Sequence, residues 1–492
     1  MMREELYYYI GMMRDISGKH VVFVALGLSI LIVLACFRGK DDKKPALAAN
    51  VERAGPPVGV QEGALEQTCR EKCGANCSRV SRIASSQRHS WYRCVGETGG
   101  DTPWKYRSCH FKNVCYNGNP QGSLTYFAHL NDDAVASEMS SGSMIPYEPV
   151  NEPVDPRSVV RKIEVEVVCG GIDERTVTWA HDDKNERVVT FGNDYFLPAV
   201  WTHLVMDNLL PMYKLLVLFG HAEAVVEPLW LNDPCPAWSY SGCNLSSPRF
   251  NHDWVSLLSD GKFELARLQD KYNQSTQENP VCFSDFMTGL SLFSDHGFGH
   301  SGHGRWLSTP ANPLTRLPHN DWNVWGISDI MWRFRLFTMK RAGIANPSKV
   351  KPTDGTNDVA FVTKGEKSWS DNRIVLDEYV SYLNRTTAAL PRNIRIQGPV
   401  TLESEELHQQ MLFAATTKVI VTQYGSTSYC GIWLPPGGTL IILHTADTKF
   451  DFNMWTNLAY IHVKYILAEN STQSVTQAVL AGLWRYRQRN GS

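Results

Sequence analysis

Hydrophobic and polar positions follow a regular order in the last third of the chain. Four short apolar runs have the length of strands: 359–363, 393–397, 418–422 and 439–443. The spacing of apolar positions between and after them predicts helices over 372–383, 404–416 and 472–487. Strands that alternate with helices form parallel sheets covered by helices on both faces. The pattern therefore predicts a doubly wound parallel sheet of the kind that binds nucleotides.

The middle of the chain is less regular. Its apolar runs predict strands near 161–168, 187–191 and 222–231, and a strong amphipathic helix over 328–341. The Pro-containing stretch 343–355 has no apolar period and reads as a linker. We therefore expect two α/β domains that meet at this linker.

The N-terminus carries one long uncharged run. Residues 21–37 contain no charged side chain and have about the minimum length of a membrane span. No small-residue cleavage site follows directly, so an uncleaved signal anchor is the preferred interpretation. Residues 38–66 are rich in Ala, Gly, Pro, Lys and Asp, which is typical of a flexible stem.

Composition and charge narrow the function classes. The chain has 492 residues, 43% of them apolar, which is enough for two or three domains with sizeable cores. A net charge of −2 at pH 7 argues against a general nucleic-acid or anionic-membrane surface.

Cysteines and sequons bear on the compartment. Six cysteines lie between Cys69 and Cys115, a density that favours disulfides in an oxidising lumen, although Cys69, Cys73 and Cys77 have a spacing that zinc could also use. Glycosylation sequons occur at Asn76, Asn244, Asn273, Asn384, Asn470 and Asn490. Three basic residues precede the anchor and five follow it, a bias that would place the C-terminal part of the chain in the cytoplasm. Cysteines and sequons together predict a type II protein of the Golgi or endoplasmic reticulum.

Residues 422–438 form the central motif of the chain. They run from one predicted strand through a glycine turn and a short helix to a Pro-Pro-Gly-Gly turn and the next strand. The N–H groups that open such a helix have no partner within the helix, so Gly425 and Ser426 are placed to bind a phosphate. The alternative is a plain strand-to-helix turn that needs glycine for its backbone angles.

A second motif spans residues 197–213. His203 and Asp207 are four residues apart and would share one face of a helix, which Pro211 then kinks or restarts. A His paired with a carboxylate can accept a proton from a hydroxyl group. The alternative is an N-cap or a core pair that fixes the helix.

Two cations lie at the carboxyl end of the first strand of the predicted sheet. Lys364 follows the strand and Arg373 opens the next helix. Both could neutralise a pyrophosphate leaving group without a metal ion. Exposed surface cations are the alternative.

These motifs resemble those of glycosyltransferase family 61. Tyr424 stands at the family's His, Cys430 at its Asn, and Leu434-Pro-Pro-Gly437 is intact, while Val200 replaces the Asn that leads the His203 motif. The resemblance implies an inverting, metal-independent transfer from a UDP-linked sugar, and no Asp-x-Asp metal motif occurs in the chain. It implies His203 and Asp207 as catalytic residues. The implied donor-binding residues are Lys364, Arg373, Tyr424, Gly425, Ser426, Thr427 and Ser428.

The resulting expectation is an α/β protein of GT-B-like form, in which two Rossmann-type domains face a cleft. The expected segments are a tail (1–20), an anchor (21–37), a stem (38–66), a Cys-rich module (67–150), an acceptor-side α/β domain (151–342) and a donor-binding domain (356–492). Its partners would be a nucleotide sugar and a glycan or glycoprotein acceptor, with no cofactor. The alternative is an inactive lectin-like or scaffold relative, because Tyr424 and Cys430 depart from the family pattern.

Overall fold

The fold is known from a computed structural model. It describes residues 88–96, 107–119, 122–128, 163–181, 186–193, 204–231, 251–289, 327–353, 355–364, 374–388, 394–402, 405–445, 458, 460–469 and 472–490. The predicted anchor at 21–37, the stem and most of the Cys-rich module lie outside these residues. Within them, no helix is both long and apolar enough to cross a membrane.

Nine strands of the described residues form a mixed sheet. They are β1 (Trp91–Gly96), β2 (Arg107–Tyr116), β3 (Leu124–Ala128), β4 (Val165–Cys169), β5 (Thr178–Trp179), β6 (Val188–Asn193), β7 (Val225–Trp230), β8 (Ala266–Arg267) and β9 (Val281–Thr288). The main path runs β4-β3-β2-β9-β6-β7-β8, with β1 beside β2 and β5 beside β9. Strand β2 is antiparallel to β1, β3 and β9, whereas the β9-β6-β7-β8 part is parallel.

Four helices accompany this sheet in the described residues. They are α1 (Leu210–Leu218), α2 (Asn251–Ser259), α3 (Leu268–Lys271) and α4 (Ile327–Arg341). A wider helical segment, Leu204–Leu209, runs directly into α1, which carries Pro211 in its first turn. Proline is tolerated there because the first N–H groups of a helix have no intrahelical acceptor. The predicted kink or restart at Pro211 stays a prediction, because Leu209 just before α1 is itself helical.

The second sheet is entirely parallel. Its strands are β10 (Val359–Val362), β11 (Ile396–Val400), β12 (Val419–Gln423), β13 (Thr439–His444) and β14 (His462–Leu467). Its helices are α5 (Asp377–Thr387), α6 (Leu407–Ala415), the 3₁₀ helix Ser426–Trp433 and α7 (Thr472–Asn490). The strand order is β11-β10-β12-β13-β14, which is one of the two common doubly wound orders. The predicted α/β class and the parallel C-terminal sheet are thus confirmed.

The predicted boundaries at one edge of this sheet were wrong. Strand β11 begins at Ile396 rather than at residue 393, and it contains Pro399 after a cis peptide bond. Proline is tolerated because β11 is an edge strand, so its outer side forms no hydrogen bonds with another strand of the sheet. Helix α5 begins at Asp377, five residues later than expected. At the opposite edge of the sheet, strand β14 had not been predicted.

One hydrophobic core is common to both sheets. It combines β6, β7, α1 and α4 with one face of β10, β12 and β13 and with the 3₁₀ helix. Tyr213 of α1, for example, packs against Phe334 and Phe337 of α4. The opposite face of the second sheet is covered by α5 and α7 in a separate core.

Two disulfides staple the first sheet. Cys94 pairs with Cys109 between β1 and β2, and Cys115 pairs with Cys282 between β2 and β9. The prediction of disulfides is confirmed for Cys94, Cys109 and Cys115, whereas Cys282 lies outside the cluster on which it was based. Because Cys282 is 167 residues from Cys115, this bridge joins the Cys-rich region to a distant strand. Cys430 is a buried free thiol.

Candidate functional site

The candidate site lies at the carboxyl ends of β10 and β12. The chain leaves these two neighbouring strands toward opposite faces of the sheet, which opens a crevice between the loops. Val362 pairs with Thr422 in the parallel register, so the residues that follow both strands emerge side by side. In open α/β sheets this topological switch point is the usual ligand site.

Lys364 lies in this crevice. Its side chain is largely buried, with 7% of the residue exposed, and its Nζ lies 4.7 Å from the centroid of the Tyr424 ring. An ammonium group over an aromatic face is attracted by the ring's electron density. The Tyr424 ring therefore stabilises the buried ammonium group of Lys364 between the loops that follow β10 and β12.

Gly425 brings the backbone close to that charge. Its φ of +91° and ψ of −149° belong to a region that residues with side chains rarely adopt. A Cβ placed on it would lie 3.5 Å from Lys364 Nζ. The 3₁₀ helix Ser426–Trp433 starts directly after this glycine, so its first N–H groups open beside the ammonium group.

Two of the hydroxyl groups predicted to bind the donor, those of Thr427 and Ser428, form hydrogen bonds within the turn itself. Thr427 Oγ1 donates to the Gln423 carbonyl at 3.0 Å, and Ser428 Oγ donates to the Gly425 carbonyl at 2.8 Å. Both residues are buried. Their side chains thus fix the start of the 3₁₀ helix.

Gln423, the last residue of β12, was not predicted as a site residue. It is completely buried, and its Oε1 accepts a hydrogen bond of 3.0 Å from the N–H of Ile374, just before α5. Its Nε2 is buried and has no acceptor among the described residues. A donor left unpaired at a switch point is suited to an oxygen atom of a ligand. In the sequence, Gln423 is recognisable only as a polar end to an apolar strand.

Cys430 occupies a core position. Its Sγ donates to the Thr427 carbonyl at 3.0 Å, and burial raises the pKa of the thiol to about 12. Tyr429, Ile432 and Trp433 around it are also buried. The side chain at the position of the family's Asn therefore packs into the protein rather than facing the crevice.

The other predicted site residues are only partly covered by the structure. His203 and Arg373 lie outside the described residues, and only the backbone of Asp207 and Ser426 is described. Their distances to Lys364 therefore stay predictions. Of the predicted glycosylation sites, Asn273 and Asn384 are exposed, as attachment of a glycan requires. Asn490 is also exposed, whereas Asn76, Asn244 and Asn470 lie outside the described part of the chain.

A second polar group surrounds Glu227 on β7. This carboxylate has no exposed surface and accepts hydrogen bonds from His181 (2.7 Å), Thr190 (2.9 Å) and Tyr272 (2.6 Å), while Lys271 Nζ lies 2.5 Å away. Burial alone would raise the pKa of Glu227, but the bond from His181 and the charges of His181 and Lys271 outweigh it and lower the pKa to about 2. Glu227 is therefore charged in the folded protein at neutral and mildly acidic pH.

Comparison with known proteins adds no assignment. Neither a family model nor a curated protein matches this chain. The similarity to glycosyltransferase family 61 thus depends on the short motifs described above.

Proposed function

We propose that the chain is an inverting, metal-independent glycosyltransferase that uses a nucleotide sugar, with UDP as the nucleotide. The main support for this proposal is the buried ammonium group of Lys364, which lies beside Gly425 at the topological switch point of the parallel sheet. A diphosphate bound there would receive the charge of Lys364 and the N–H groups of the 3₁₀ helix. Gln423 Nε2 adds a donor on the α5 side of the same sheet edge.

The proposed reaction divides the work between the two halves of the protein. The parallel sheet would hold the donor, while His203 and Asp207 would receive the acceptor hydroxyl and remove its proton. Lys364 and Arg373 would stabilise the negative charge that develops on the leaving diphosphate. This division corresponds to a GT-B-like arrangement with the donor and acceptor on opposite walls of a cleft.

The proposed location is the lumen of the Golgi or endoplasmic reticulum. The two disulfides support it, since such bonds persist in oxidising compartments. The exposed sequon residues Asn273 and Asn384 are compatible with it. Residues 21–37 would provide the single type II anchor.

A non-catalytic relative that keeps the nucleotide site is the second candidate. It is favoured by Cys430, which is buried where the family has Asn and therefore cannot contact a donor. Tyr424, where the family has His, lies against Lys364 instead. Such a protein would bind a nucleotide sugar without transferring the sugar.

The test is UDP binding in the presence of EDTA, measured on the full-length protein in detergent. A ligand that binds only the native state stabilises it by RT ln(1 + L/Kd), where L is the free ligand concentration, so the rise of the melting temperature with UDP concentration gives a dissociation constant. We expect Lys364→Ala to weaken UDP binding by about tenfold or more, since a charge-assisted contact is lost. Lys464→Ala is the matched control, because Lys464 is an exposed lysine on the edge strand β14.

The outcomes separate the candidates. No stabilisation by UDP, GDP or CMP, or an equal loss in both lysine variants, would exclude the proposed donor site. Binding that depends on Lys364 but is accompanied by no transfer or hydrolysis of any UDP-sugar would favour the non-catalytic relative. Binding together with release of UDP from one sugar donor would support the transferase.

A further inference from the structure

A cluster of two histidines and one aspartate lies in the first sheet, away from the proposed donor site. His110 comes from β2 and Asp285 from the adjacent antiparallel strand β9, where the pairing of Lys112 with Asp285 puts both side chains on one face. His221 comes from the turn between α1 and β7, which the bond from its N–H to the Leu216 carbonyl holds in place. Their side chains are 3%, 12% and 1% exposed, respectively.

The three side chains converge on one point. The distance from Asp285 Oδ1 to His110 Nε2 is 2.7 Å, and to His221 Nε2 it is 3.8 Å. The two imidazole rings are 4.7 Å apart between centroids, and one ligand atom from each of the three residues lies within 4.8 Å of the others. Ligand atoms on a tetrahedral zinc ion are about 3.3 Å apart, given bonds of about 2.0 Å. The observed separations bracket that value, so shifts of less than about 1 Å would complete the geometry.

The donor set is selective in its chemistry. Two imidazole nitrogens and one carboxylate oxygen suit zinc and its neighbours among the divalent transition metals, whereas calcium and magnesium prefer oxygen ligands alone. Three protein ligands leave a fourth position for water. The three ligands come from separate parts of the chain, so an ion would join β2, β9 and the turn before β7.

Arg187 occupies the open side of the cluster. Its guanidinium Nη2 lies 3.0 Å from His221 Nε2, and the residue is exposed. A guanidinium group is always a donor, so Nε2 of His221 must present a lone pair at this position. A metal ion would use the same lone pair. Binding therefore requires Arg187 to swing into solvent, and its positive charge opposes the ion.

We propose that His110, His221 and Asp285 bind one divalent transition-metal ion of the zinc class, and that Arg187 competes with the ion for His221. The three ligands are largely buried, and the ion would join β2, β9 and the turn before β7. The site is distinct from the sugar-donor site at Lys364 and does not depend on the proposed transferase activity.

The experiment uses cobalt(II) as a probe on the full-length protein after removal of metals by a chelator. Four-coordinate cobalt has visible absorption bands, so a titration gives stoichiometry, affinity and coordination together. We expect one cobalt per chain, displaced by zinc. His221→Ala should weaken cobalt binding by more than about tenfold, since even the loss of an outer-shell partner costs that much.

Arg187→Gln gives the sharper test. It removes the competing guanidinium but no ligand, so we expect cobalt to bind several-fold more tightly. Two controls accompany it: His462→Ala removes an exposed histidine on β14, and Arg175→Gln removes an exposed arginine that pairs with Asp173. Neither control should change the affinity.

The proposal is overturned if no four-coordinate cobalt spectrum forms, or if the spectrum is unchanged by His221→Ala. If His221→Ala does not fold, as judged by circular dichroism, Arg187→Gln decides alone. Tighter binding in that variant supports the site, and unchanged or weaker binding overturns it.

Discussion

The buried carboxylate of Glu227 makes the stability of the first sheet depend on pH. Its four partners lie in β6, next to β5, and in and after α3, so its charge connects elements that are separate along the chain. A charge at full burial is tolerated because each partner is a hydrogen-bond donor or a cation. The same arrangement would become unfavourable if the carboxylate lost its charge.

We predict that acid will destabilise the protein through Glu227. Above the usual glutamate pKa of about 4.5 the group is charged in both states, and its stabilising effect is fully present. Between about pH 4.5 and about pH 2 the unfolded chain takes up the proton first, so the free energy of unfolding falls by about 3 kcal/mol. Urea denaturation at a series of pH values measures this loss.

The matched variants are Glu227→Gln and Glu166→Gln. Glu227→Gln should be less stable at neutral pH but should lose less stability on acidification, because the titrating group is gone. Glu166 is exposed on β4, and Glu166→Gln should keep the pH dependence of the parent. An acid dependence that is identical in Glu227→Gln and the parent would contradict the assignment.

Among the elements, helix α7 packs unusually close to the second sheet, through Gly482. A Cβ at this position would lie 2.9 Å from Thr439 Oγ1 and 3.2 Å from Val419 Cγ2. Val475, Val479, Leu483 and Tyr486 of the same helix are buried around it. The glycine thus sets the distance between the helix and strands β12 and β13.

We therefore predict that Gly482→Ala will destabilise the protein by about 1–3 kcal/mol, the usual cost of overpacking. Alanine is the better helix former by about 1 kcal/mol, so propensity alone would give the opposite sign. Gln477→Ala, at an exposed position of the same helix, is the control and should be neutral or slightly stabilising. Chemical denaturation of both variants decides whether packing or propensity dominates at residue 482.

Apolar continuity explains which elements could be predicted from the sequence. Strands β10, β12 and β13 are mostly apolar and almost entirely buried, and they were located to within one residue. Strand β14 was missed because it alternates between exposed and partly buried residues at the sheet edge. Strand β11 was predicted three residues too early, and Pro399 obscured its true end, since a proline argues against a strand unless the strand is known to be an edge.

The same reasoning explains which site residues could be found. Lys364 directly follows one predicted strand and Gly425 lies three residues after the end of another, so their meeting at one sheet edge follows from parallel pairing. Gln423 was missed because only the tertiary contact with Ile374 shows how it is used. The pairing of His110 with Asp285 joins residues 175 positions apart, and no local pattern encodes it.

At the scale of the whole molecule, the two disulfides within the described residues differ in how much chain they close. Cys94–Cys109 spans 15 residues, whereas Cys115–Cys282 spans 167. A crosslink restricts the unfolded chain more when it closes a longer loop. The entropic model gives about 3 kcal/mol for the short loop and about 5 kcal/mol for the long one.

We predict that Cys115→Ala/Cys282→Ala will lower the free energy of unfolding more than Cys94→Ala/Cys109→Ala. Guanidinium denaturation of both double variants under identical non-reducing conditions measures the difference. The variant that combines all four substitutions is the reference for the combined loss. A larger effect of the short-loop pair would show that local packing, rather than loop closure, determines the contribution of each bridge.

The core shared by the two sheets limits how the gene can be shortened. A chain that ends between α4 and β10 would lack the residues that pack on α1, α4, β6 and β7. The apolar side chains of these elements would then be exposed to solvent. Chaperones and proteases act on such surfaces. We therefore expect a premature stop codon between α4 and β10 to abolish function, because the remaining N-terminal fragment would not fold into a stable protein.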